Sequence, residues 1–488
     1  MRLKDLAMGC FEVPAELADL EVTGIENDSR VVQPGVLFVA VRGTRTDGSL
    51  HAAEAGKAGA VCIVGEARPG ELRAARGTCG PCAAPYIAVP DSREALGRLA
   101  ARFHGVDQGG IDIAGVTGTK GKTTTTWILD AIFRAAGKVS ALFGTIENRL
   151  AGAVHAADNT TPSCLYLHRS LGALRRAGGT HAVLEVSSHG ILQRRIAGLQ
   201  FRCGIFTNVA PEHLDYHTTF ESYVETKTSF FLGLAPSAHA VLPREEPASL
   251  LIAARTRANV AWYGAESQDG VERLRGEPEG IAFCWKGRPV RSQLWGHFNL
   301  LNTLAAMTAA ECMGFTRDEI ILGVESAVAP PGRLEEVTRG LPFRVFVDYA
   351  HTDGSLEKVL QVLRAITPGR LITVFGCGGD RDTTKRSRMG RVAEDWSDQV
   401  VVTSDNPRGE DPRKILSDIM KGFKRPEDAV FEVDRKEAIA LGIRMARPSD
   451  TVLIAGKGHE TYQELEGRRL HFDDREVARE LIAESHPL

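Results

Sequence analysis

Short apolar runs recur along the whole chain, and each is bounded by glycine, proline or polar residues. In the first hundred residues they are GVLFVAV (35–41), AVCIVG (60–65) and PYIAV (85–89), whose length and composition are typical of buried strands. HGVDQGG (104–110) has the composition of a linker, and beyond it strands and helices alternate. Such alternation predicts an α/β fold whose mainly parallel sheets are covered by helices on both faces.

The alternation continues from the run IDIAGV to the end of the chain. The apolar residues that fall on one helical face after this run are Trp127, Ile128, Ala131, Ile132 and Ala135. Further predicted strands are THAVLEV (180–186), CGIFTNV (203–209), FRVFVDYA, RLITVFG, DQVVVTS and DTVLIAG. Further predicted helices are GHFNLLNTLAAMTAAECMG (296–314) and SLEKVLQVLRAI, whereas residues 245–293 are predicted to form a strand-rich insertion.

Composition and charge narrow the class of protein. With 488 residues, 43% hydrophobic and 25% charged, the chain has the composition of a globular protein of about three domains. A net charge of -3 gives no basic surface for nucleic acid. No apolar run is long enough to cross a bilayer, and the first ten residues, MRLKDLAMGC, lack a signal-peptide core. We therefore expect a cytoplasmic protein with no nucleic-acid partner and no membrane insertion.

The nine cysteines are scattered, which is typical of reduced thiols in a cytoplasmic chain. Cys79-Gly80-Pro81-Cys82 has the letters of a thioredoxin-type redox motif. That motif needs a strand before it and a helix behind its first cysteine, where the helix N-terminus lowers the thiol pKa. Because neither pattern is present here, a surface loop is the better prediction.

In parallel sheets, ligands bind beyond the carboxyl ends of the strands. The first central strand runs into VTGTKGKTTTTWIL, in which Val116 occupies the place of the first glycine of the usual phosphate-loop pattern. Gly118 and Gly121 would let backbone N–H groups approach phosphate oxygens at a helix N-terminus. Lys122 could reach the β- and γ-phosphates, and the Thr123 hydroxyl could bind Mg²⁺. The alternative is a glycine-rich turn with a solvated lysine.

Polar residues also follow the neighbouring strands. Glu185 ends THAVLE, and an acidic residue there is what a Mg²⁺ site beside a phosphate loop requires. His213 follows the next strand, although for His213 or His189 taken alone a structural histidine is the better prediction. Lys227 lies on a predicted helix, where a lysine is ordinarily on the solvated face.

Three polar loops follow strands in the last third of the chain: CGGDRD (377–382), SDNPR (404–408) and GKGHE (456–460). If the strands are parallel, the loops share one edge. The side chains that they would gather are Arg381, Asp405, Asn406, Arg408 and Glu460. Arginine binds carboxylates in bidentate fashion and carboxylates hold ammonium groups, so the set suits a zwitterionic ligand. The alternative is a surface cluster of salt bridges.

Ten motifs occur in a fixed order along nearly the whole chain: GVTGTKGKTT, NTTP, LEVSSHG, FTNVAPEHLDYH, GHFNLLN, PGRLE, VDYAHT, FGCGGDRD, SDNPR and AGKGHE. Together they resemble the Mur ligases of peptidoglycan synthesis. The resemblance implies three α/β domains, namely residues 1–106 for the UDP end of the substrate, 107–333 for a P-loop-type ATPase and 334–488 for a Rossmann-like domain that brings the amino acid. The family loop GTxGKT also accounts for Val116.

The resemblance implies roles for individual residues. ATP would be bound by Gly118, Thr119, Lys120, Gly121, Lys122, Thr123, Thr124, Asn302, Arg333 and Asp348. Mg²⁺ would be held by Thr123, Glu185, His213 and a carbamylated Lys227, and the catalytic set would be Lys122, Glu185, His213 and Lys227. The UDP-muramyl-peptide would be contacted by Ser29, Arg30, Thr160, Thr161, Ser187, Gln193 and Arg195. The amino acid would be contacted by Arg381, Asp405, Asn406, Arg408, Gly456 and Glu460.

The implied reaction is ATP-dependent ligation of meso-diaminopimelate to UDP-MurNAc-L-Ala-D-Glu by a monomer. The sequence DNPR resembles the diaminopimelate type of the family, because Arg408 can pair with the second carboxylate that lysine lacks. The same ligation with L-lysine is the nearest alternative. Folylpolyglutamate synthesis is a more distant alternative, which leaves DSR at residues 28–30 and DNPR unexplained. ATP binding without ligation is another, and it gives no role to Arg381, Arg408 and Glu460.

Overall fold

The computed structural model describes residues 1–43, 46–66, 84–266, 270–273, 280–338 and 340–485. The Cys79–Cys82 motif lies outside the described residues. The chain divides into two compact units. The first comprises Met1–Glu272, Trp285–Arg288 and Leu301–Ser326, and the second comprises Arg273–Cys284, Pro289–Leu300 and Ala327–Leu488.

Strands and helices alternate as predicted. The strands are β1 (Gly24–Glu26), β2 (Val36–Ala40), β3 (Cys62–Gly65), β4 (Tyr86–Ala88), β5 (Asp112–Thr117), β6 (Ser140–Phe143), β7 (Glu147–Leu150), β8 (Ala153–Ala156), β9 (His181–Glu185), β10 (Phe201–Phe206), β11 (His239–Pro243), β12 (Asn259–Tyr263), β13 (Val271–Arg273), β14 (Ile281–Trp285), β15 (Arg288–Ser292), β16 (Glu335–Glu336), β17 (Arg344–Asp348), β18 (Leu371–Phe375), β19 (Gln399–Val402), β20 (Val430–Phe431), β21 (Thr451–Ala455), β22 (Tyr462–Leu465) and β23 (Arg468–His471). The α-helices are α1 (Leu3–Leu6), α2 (Ala52–Lys57), α3 (Ser92–Phe103), α4 (Lys122–Ala135), α5 (Cys164–Arg176), α6 (Ser188–Leu192), α7 (Leu214–His217), α8 (Phe220–Leu232), α9 (Ala248–Arg255), α10 (His297–Cys312), α11 (Arg317–Ser326), α12 (Asp353–Ile366), α13 (Lys385–Trp396), α14 (Pro412–Met420), α15 (Arg435–Met445) and α16 (Asp474–Ser485).

The first unit contains two sheets. A four-stranded parallel sheet has the order β1-β2-β3-β4, and an eight-stranded sheet has the order β12-β11-β10-β5-β9-β6-β7-β8. The eight-stranded sheet is parallel from β12 to β6, while β7 and β8 add an antiparallel hairpin at its edge. The predicted parallel sheet is confirmed, although its edge hairpin was not predicted.

The centre of the eight-stranded sheet positions the phosphate loop. Val116 of β5 pairs with Glu185 of β9, and Thr117 pairs with Phe206 of β10, so these three strands end at one level. The segments that follow them therefore emerge side by side. Helix α4 begins directly after Gly121, and its residues from Thr123 to Phe133 are buried.

The second unit is built on a six-stranded sheet of order β16-β17-β21-β18-β19-β20. Apart from the antiparallel β16, its strands are parallel. Asp348, Phe375 and Ala455 are register partners across β17, β21 and β18, and Phe375 is also level with Val402 of β19. The predicted shared edge is therefore confirmed, and the loops after these strands emerge together.

Helix α3, which follows the N-terminal sheet, packs closely against part of the central region. A Cβ atom on Gly97 of α3 would lie 2.5 Å from backbone and side-chain atoms of Ala197. Arg194 also forms an ion pair with Asp91, at 2.8 Å. The division of this unit at residue 106 stays a prediction. Across the described residues, helices that are both long and apolar enough to cross a membrane are absent.

Candidate active site

The phosphate loop requires glycine at two positions. Gly118 has φ +151° and Gly121 has φ +87°. A Cβ atom on Gly118 would lie 1.9 Å from Oγ1 of Thr207, and one on Gly121 would lie 2.3 Å from Oδ1 of Asn302. The loop is thus packed against the end of β10 on one side and against α10 on the other, with no room for side chains.

The rest of the loop is held by the segment after β10. The backbone N–H of Thr119 donates to the carbonyl oxygen of Asn208 at 2.9 Å, and that of Lys120 donates to Asn208 Oδ1 at 3.0 Å. Thr207 Oγ1 donates to the carbonyl oxygen of Lys120 at 2.6 Å. Lys120 itself forms an ion pair with Glu212 at 2.8 Å. These bonds fix the loop before any ligand binds.

Two predicted catalytic lysines meet on this loop. Lys122 Nζ donates to the carbonyl oxygens of Gly118 and Thr119 at 2.9 and 3.0 Å, and Lys227 Nζ donates to Gly118 at 2.9 Å. Lys227 is only 2% exposed, and its amine lies 4.5 Å from the ring centre of Tyr223. Burial, reinforced by the charge of Lys122, lowers the pKa of Lys227 well below its usual range. The expectation of a solvated lysine is therefore wrong.

Glu185 lies at the end of β9 and is 1% exposed. Its carboxylate accepts hydrogen bonds from the backbone N–H of Thr145 at 2.9 Å and from the Thr145 hydroxyl at 3.0 Å. That hydroxyl also bonds to Thr160 at 3.1 Å. Within the described residues Glu185 makes no hydrogen bond to His213 or Lys227.

The predicted muramyl-peptide residues of the central region, Thr160, Thr161, Ser187, Gln193 and Arg195, form a connected set beside Glu185. Thr161 Oγ1 donates to the Glu185 carbonyl oxygen at 2.8 Å and lies 3.0 Å from Ser187 Oγ. Arg195 donates to the carbonyl oxygen of Thr161 at 2.7 Å and to Gln193 Oε1 at 2.8 Å. Burial lowers the pKa of Arg195. The structure thus brings this whole set together.

His213 lies among aromatic side chains near the phosphate loop. Its backbone has φ +57°, a conformation that histidine adopts more readily than most residues. Its ring centre lies 5.1 Å from that of His189 and 6.4 Å from that of Tyr223. Where the chain is described, no three His, Cys, Asp or Glu side chains form a metal-binding group. The predicted Mg²⁺ ligands include a threonine hydroxyl and a carbamate, which do not belong to that class.

The described residues fit ATP and Mg²⁺. The glycine cradle would be filled by a Cβ atom at either glycine, and Lys122 is already held over the loop by its carbonyl oxygens. Thr123 and Thr124 open α4, where helix N–H groups attract anions. Asn302, 6% exposed, lies against Gly121. Phosphate, hydroxyl and carboxylate oxygens are the ligands that Mg²⁺ prefers.

Ser29 and Arg30 lie in the N-terminal sheet region. Within the described residues, no hydrogen bond or ion pair joins either of them to the phosphate loop or to the set beside Glu185. Ser29 Oγ donates to Glu54 at 2.8 Å, and Arg30 forms an ion pair with Asp28 at 2.6 Å. The Arg30 guanidinium lowers the pKa of Asp28 to about 2. Their contact with UDP stays a prediction.

In the second unit, Asp348 and Arg333 lie where β17 ends. Asp348 accepts hydrogen bonds from the backbone N–H groups of Leu334 and Ala350, at 2.6 and 2.8 Å. The Arg333 guanidinium lies 4.8 Å from the ring centre of Tyr349. A Cβ atom on Gly332 would lie 2.1 Å from the backbone of Gly458. The PGR and GKGHE segments are therefore in backbone contact.

Four predicted amino-acid contacts form one cluster at the strand ends. Asn406 Nδ2 donates to Glu460 Oε2 at 2.7 Å, and the Asn406 N–H donates to Asp405 Oδ1 at 2.7 Å. A Cβ atom on Gly456 would lie 2.5 Å from Asp405 Oδ2. Burial and the Asp405 carboxylate together raise the pKa of Glu460. The prediction of a shared cluster is confirmed for these residues.

The two predicted arginines differ. Arg408 has φ +55°, and its guanidinium donates to the Gly379 carbonyl oxygen at 2.7 Å and lies 3.7 Å from Glu464. Arg381 is exposed and makes no hydrogen bond or ion pair within the described part of the chain. The structure therefore adds Arg408 to the cluster and leaves Arg381 at its solvent side.

Sequence reasoning missed two buried cations of this cluster. Lys457 is 0% exposed and donates to Asn406, Glu460 and the carbonyl oxygen of Tyr462. Arg435 pairs with Asp474 at 2.7 Å, and both side chains are 0% exposed. Lys457 belongs to GKGHE, so the motif itself was a signal. No local pattern distinguishes Arg435 from a solvated helix residue.

The chain matches three known domain families. The matches are "Mur ligase family, catalytic domain" over residues 21–104, "Mur ligase middle domain" over 116–310 and "Mur ligase, glutamate ligase domain" over 332–458. The three matched segments thus include the four-stranded sheet, most of the eight-stranded sheet and the six-stranded sheet.

Similar proteins extend over nearly the full chain. The UDP-N-acetylmuramoyl-L-alanyl-D-glutamate–2,6-diaminopimelate ligase of Solibacter usitatus (strain Ellin6076) is 43% identical over 477 residues, which cover 96% of this chain and 94% of that protein. The ligase of the same name from Geobacter metallireducens is 40% identical over 512 residues, covering 98% and 97%. A solved structure of a ligase of this name covers both chains completely at 31% identity, with a TM-score of 0.74. MurF ligase from Thermotoga maritima, solved with ADP, shares the fold at 20% identity and a TM-score of 0.62, covering 95% and 97%.

Proposed function

We propose that this chain, which belongs to the Mur ligase family, is the ATP-dependent ligase that joins meso-diaminopimelate to UDP-MurNAc-L-Ala-D-Glu. The observation that carries the choice of amino acid is the cluster of Asp405, Asn406, Arg408 and Glu460 at one sheet edge. The SDNPR and GKGHE loops at this edge carry one arginine and two carboxylates, Asp405 and Glu460, which matches a ligand with both carboxylate and ammonium groups. The relatives at 43% and 40% identity carry the name of this ligase.

The reaction needs an activated carboxylate. The side-chain carboxylate of D-glutamate attacks the γ-phosphorus of ATP, the bond from that phosphorus to the ADP oxygen breaks, and an acyl phosphate forms. The amine of diaminopimelate then attacks the acyl carbon, the amide bond forms and phosphate leaves with the electrons of the C–O bond. The amine proton passes to solvent or to a base. Phosphorylation is required because an unactivated carboxylate has no adequate leaving group.

The residues of the phosphate loop would bind and orient ATP. Gly118 and Gly121 leave the backbone open to phosphate, and Lys122 is positioned to exchange its two carbonyl partners for phosphate oxygens. Thr123, Glu185, His213 and carbamylated Lys227 would hold Mg²⁺. Bound Mg²⁺ would neutralise the phosphate charges that otherwise repel the attacking carboxylate.

Lys227 would supply the carbamate. A neutral amine adds to CO₂ through its lone pair, which gives an N-carboxylate and releases one proton. The buried environment that lowers the pKa of Lys227 keeps a larger share of its amine neutral at pH 7. The carbamate would carry a negative charge within reach of the phosphate loop.

The muramyl-peptide would bind beside Glu185. Thr160, Thr161, Ser187, Gln193 and Arg195 form a hydrogen-bonded set there, and Arg195 would supply the positive charge that a peptide carboxylate requires. Ser29 and Arg30 would contact the uridine end. Arg381, which is exposed beside the cluster of Asp405, Asn406 and Glu460, would contact the bound amino acid.

The test of the proposal is a ligation assay with two amino acids. The purified chain is given ATP, Mg²⁺ and UDP-MurNAc-L-Ala-D-Glu, with either meso-diaminopimelate or L-lysine, and the amide product is measured by mass spectrometry. We expect product with diaminopimelate, and R408A should reduce kcat/KM for it by about 100-fold, since a bidentate charged pair is lost. Preference of the wild type for lysine would overturn the choice of substrate. Phosphate release with no amide product would overturn the ligase itself.

We further propose that the protein acts in the cytoplasm as a monomer, without a nucleic-acid partner, and that its domains are residues 1–106, 107–333 and 334–488. Its described cysteines are all free thiols, which suits a reducing compartment. Analytical ultracentrifugation tests the monomer, with a mass near 52.8 kDa as the expected result.

A further inference from the structure

Lys457 is a fully buried lysine with three oxygen partners. Its Nζ lies 3.2 Å from Asn406 Oδ1 and 3.4 Å from Glu460 Oε2, and it also donates to the carbonyl oxygen of Tyr462. The side chain is 0% exposed. A buried ammonium is stable only when its hydrogen-bond donors are used. Lys457 therefore connects three segments: its own loop, the SDNPR loop and strand β22.

The partners of Lys457 determine how Asn406 is oriented. Asn406 Oδ1 accepts from Lys457 and from the backbone N–H of Glu464 at 2.9 Å. Because the amide oxygen faces these two donors, its nitrogen faces Glu460, to which it donates at 2.7 Å. Lys457 thus supplies one of the two donors that hold the amide oxygen.

The same contacts determine which oxygen of Glu460 is available. Both Asn406 and Lys457 donate to Oε2. Among the described residues, no donor lies within hydrogen-bond distance of Oε1. Glu460 thus has one oxygen fixed by the protein and the other left for an ammonium group of a ligand.

The charges around Glu460 explain why a buried lysine is needed here. Asp405 lies in the same cluster, and its negative charge and burial both raise the pKa of Glu460, whereas Lys457 lowers it. Arg435, which is paired with Asp474, and Tyr349 also interact electrostatically with Glu460. Lys457 is the cation in direct contact with the Glu460 carboxylate, so it favours the ionised form that binds an ammonium group.

We propose that Lys457 is a positioning residue for the incoming amino acid: it holds the Asn406 amide and the Glu460 carboxylate in the arrangement that receives an ammonium group. The proposal rests on the proposed function, since it concerns the amino-acid pocket of that ligase. Lys457 itself acts through Asn406 and Glu460 and does not need to touch the ligand.

The test compares K457M, which keeps the length and loses the charge, with K457R, which keeps charge and donors. K421M serves as a control, because Lys421 is 68% exposed and belongs to the same unit. Initial rates are measured at varied meso-diaminopimelate with ATP and UDP-MurNAc-L-Ala-D-Glu saturating, and then at varied ATP. Thermal unfolding of each variant verifies that it is folded.

We expect K457M to raise KM for diaminopimelate about 10- to 100-fold and to change KM for ATP by less than about two-fold. The acid limb of its profile of kcat/KM against pH should move to higher pH, since Glu460 loses its stabilising cation. K457R should recover part of the affinity, and K421M should behave as the wild type. Equal changes in KM for all substrates, or an unmoved acid limb, would show a merely structural role and overturn the proposal.

A crystal structure of K457M separates this proposal from the proposed function. We expect the Glu460 carboxylate, which loses one of its two donors, to leave hydrogen-bond distance of the Asn406 amide nitrogen, and unchanged positions of both side chains would overturn the role of Lys457. This comparison does not depend on ligation. If the wild type fails to ligate diaminopimelate, the proposed function fails, whereas the crystal structure still decides whether Lys457 orients the two residues.

Discussion

A lysine amine that is buried loses its hydration, and Lys227 illustrates the energetic cost of such burial. Its side chain is 2% exposed and rests on the Gly118 carbonyl and the Tyr223 ring. Burial depresses its pKa in the folded chain, whereas in the unfolded chain it titrates near 10.4. Between these two values the unfolded chain binds one more proton than the folded chain, so protonation favours unfolding.

The first prediction follows from this difference. In buffer free of CO₂, K227M should be more stable than the wild type at pH 7, because methionine fills the site without an ionisable group. The stability of the wild type should rise with pH up to about 10.4, by at most about 1.4 kcal/mol per pH unit. The advantage of K227M should therefore be larger at pH 6.5 than at pH 9.5. Urea unfolding at the two pH values measures it.

A matched control for this prediction is K138M, because Lys138 is exposed in the same unit. Its stability relative to the wild type should not change between the two pH values. An advantage of K227M that stays constant with pH would contradict the depressed pKa. Supplying ¹³C-bicarbonate should add a carbamate signal to the NMR spectrum of the wild type and not to that of K227M.

Some residues of the candidate site could be predicted from the sequence, and others could not. Glu185 and Asp405 could be predicted as site residues, because each follows an apolar run that must be a strand. Lys457 and Arg435 could not be assigned in this way, because a lysine in a polar loop and an arginine on a helix are ordinarily solvated. Their burial depends on Asn406 and Asp474, partners that are distant in sequence.

At the scale of elements, the phosphate loop continues directly into α4, and Gly121 is the residue that joins them. Its φ of +87° is in the left-handed region, where a Cβ atom destabilises the folded backbone by roughly 1–2 kcal/mol. Gly137 ends the same helix at φ +71°, but a Cβ atom there would meet nothing within 4 Å. Both glycines therefore have a backbone conformation that disfavours a Cβ atom, but only Gly121 is also closely packed.

The second prediction uses this pair. G121A should lower the melting temperature more than G137A and should raise KM for ATP at least ten-fold, because its Cβ atom would displace Asn302, which we propose contacts ATP. G137A should lose about 1–2 kcal/mol of stability and keep its KM for ATP. Thermal unfolding and ATP-dependent ligation rates measure both effects. Equal KM values in the two variants would contradict the assignment of the loop.

Many buried strands could be predicted from their apolar runs, although the buried β6 and β11 were missed. The strands GVLFVAV, AVCIVG and PYIAV match β2, β3 and β4 within two residues at each end. The hairpin strands β7 and β8, ENRL and AVHA, were also missed, because β7 has a single buried residue and the edge strand β8 is exposed along its whole length. Edge strands lack the burial that produces a continuous apolar pattern.

At the scale of the whole molecule, the chain is two compact units that each have hydrophobic clusters of their own. In the second unit, the buried Arg435–Asp474 pair also holds the strand ends, since Arg435 donates to the carbonyl oxygens of Ser404 and Ala455. In the first unit, Asp130 is 1% exposed and binds Ser140 and Arg149. Each unit thus contains a buried carboxylate that can be altered separately.

The third prediction concerns how the two units unfold. Removing one member of a buried ion pair destabilises by roughly 3–5 kcal/mol, so D474N should lower one calorimetric transition by about 10 °C. D130N should lower the other transition. Multidomain chains commonly unfold in more than one step. A single transition that both variants shift equally would contradict independent unfolding.

The approach of Gly332 to Gly458, 126 residues apart in sequence, has a consequence for recombining this protein with its relatives. Because each glycine leaves the space that the other's backbone occupies, neither segment is an independent module. In a chimera whose imported PGR-type segment has a side chain at position 332, that side chain would clash with the GKGHE loop of the host protein. Crossover points should therefore be placed so that both segments come from the same parent.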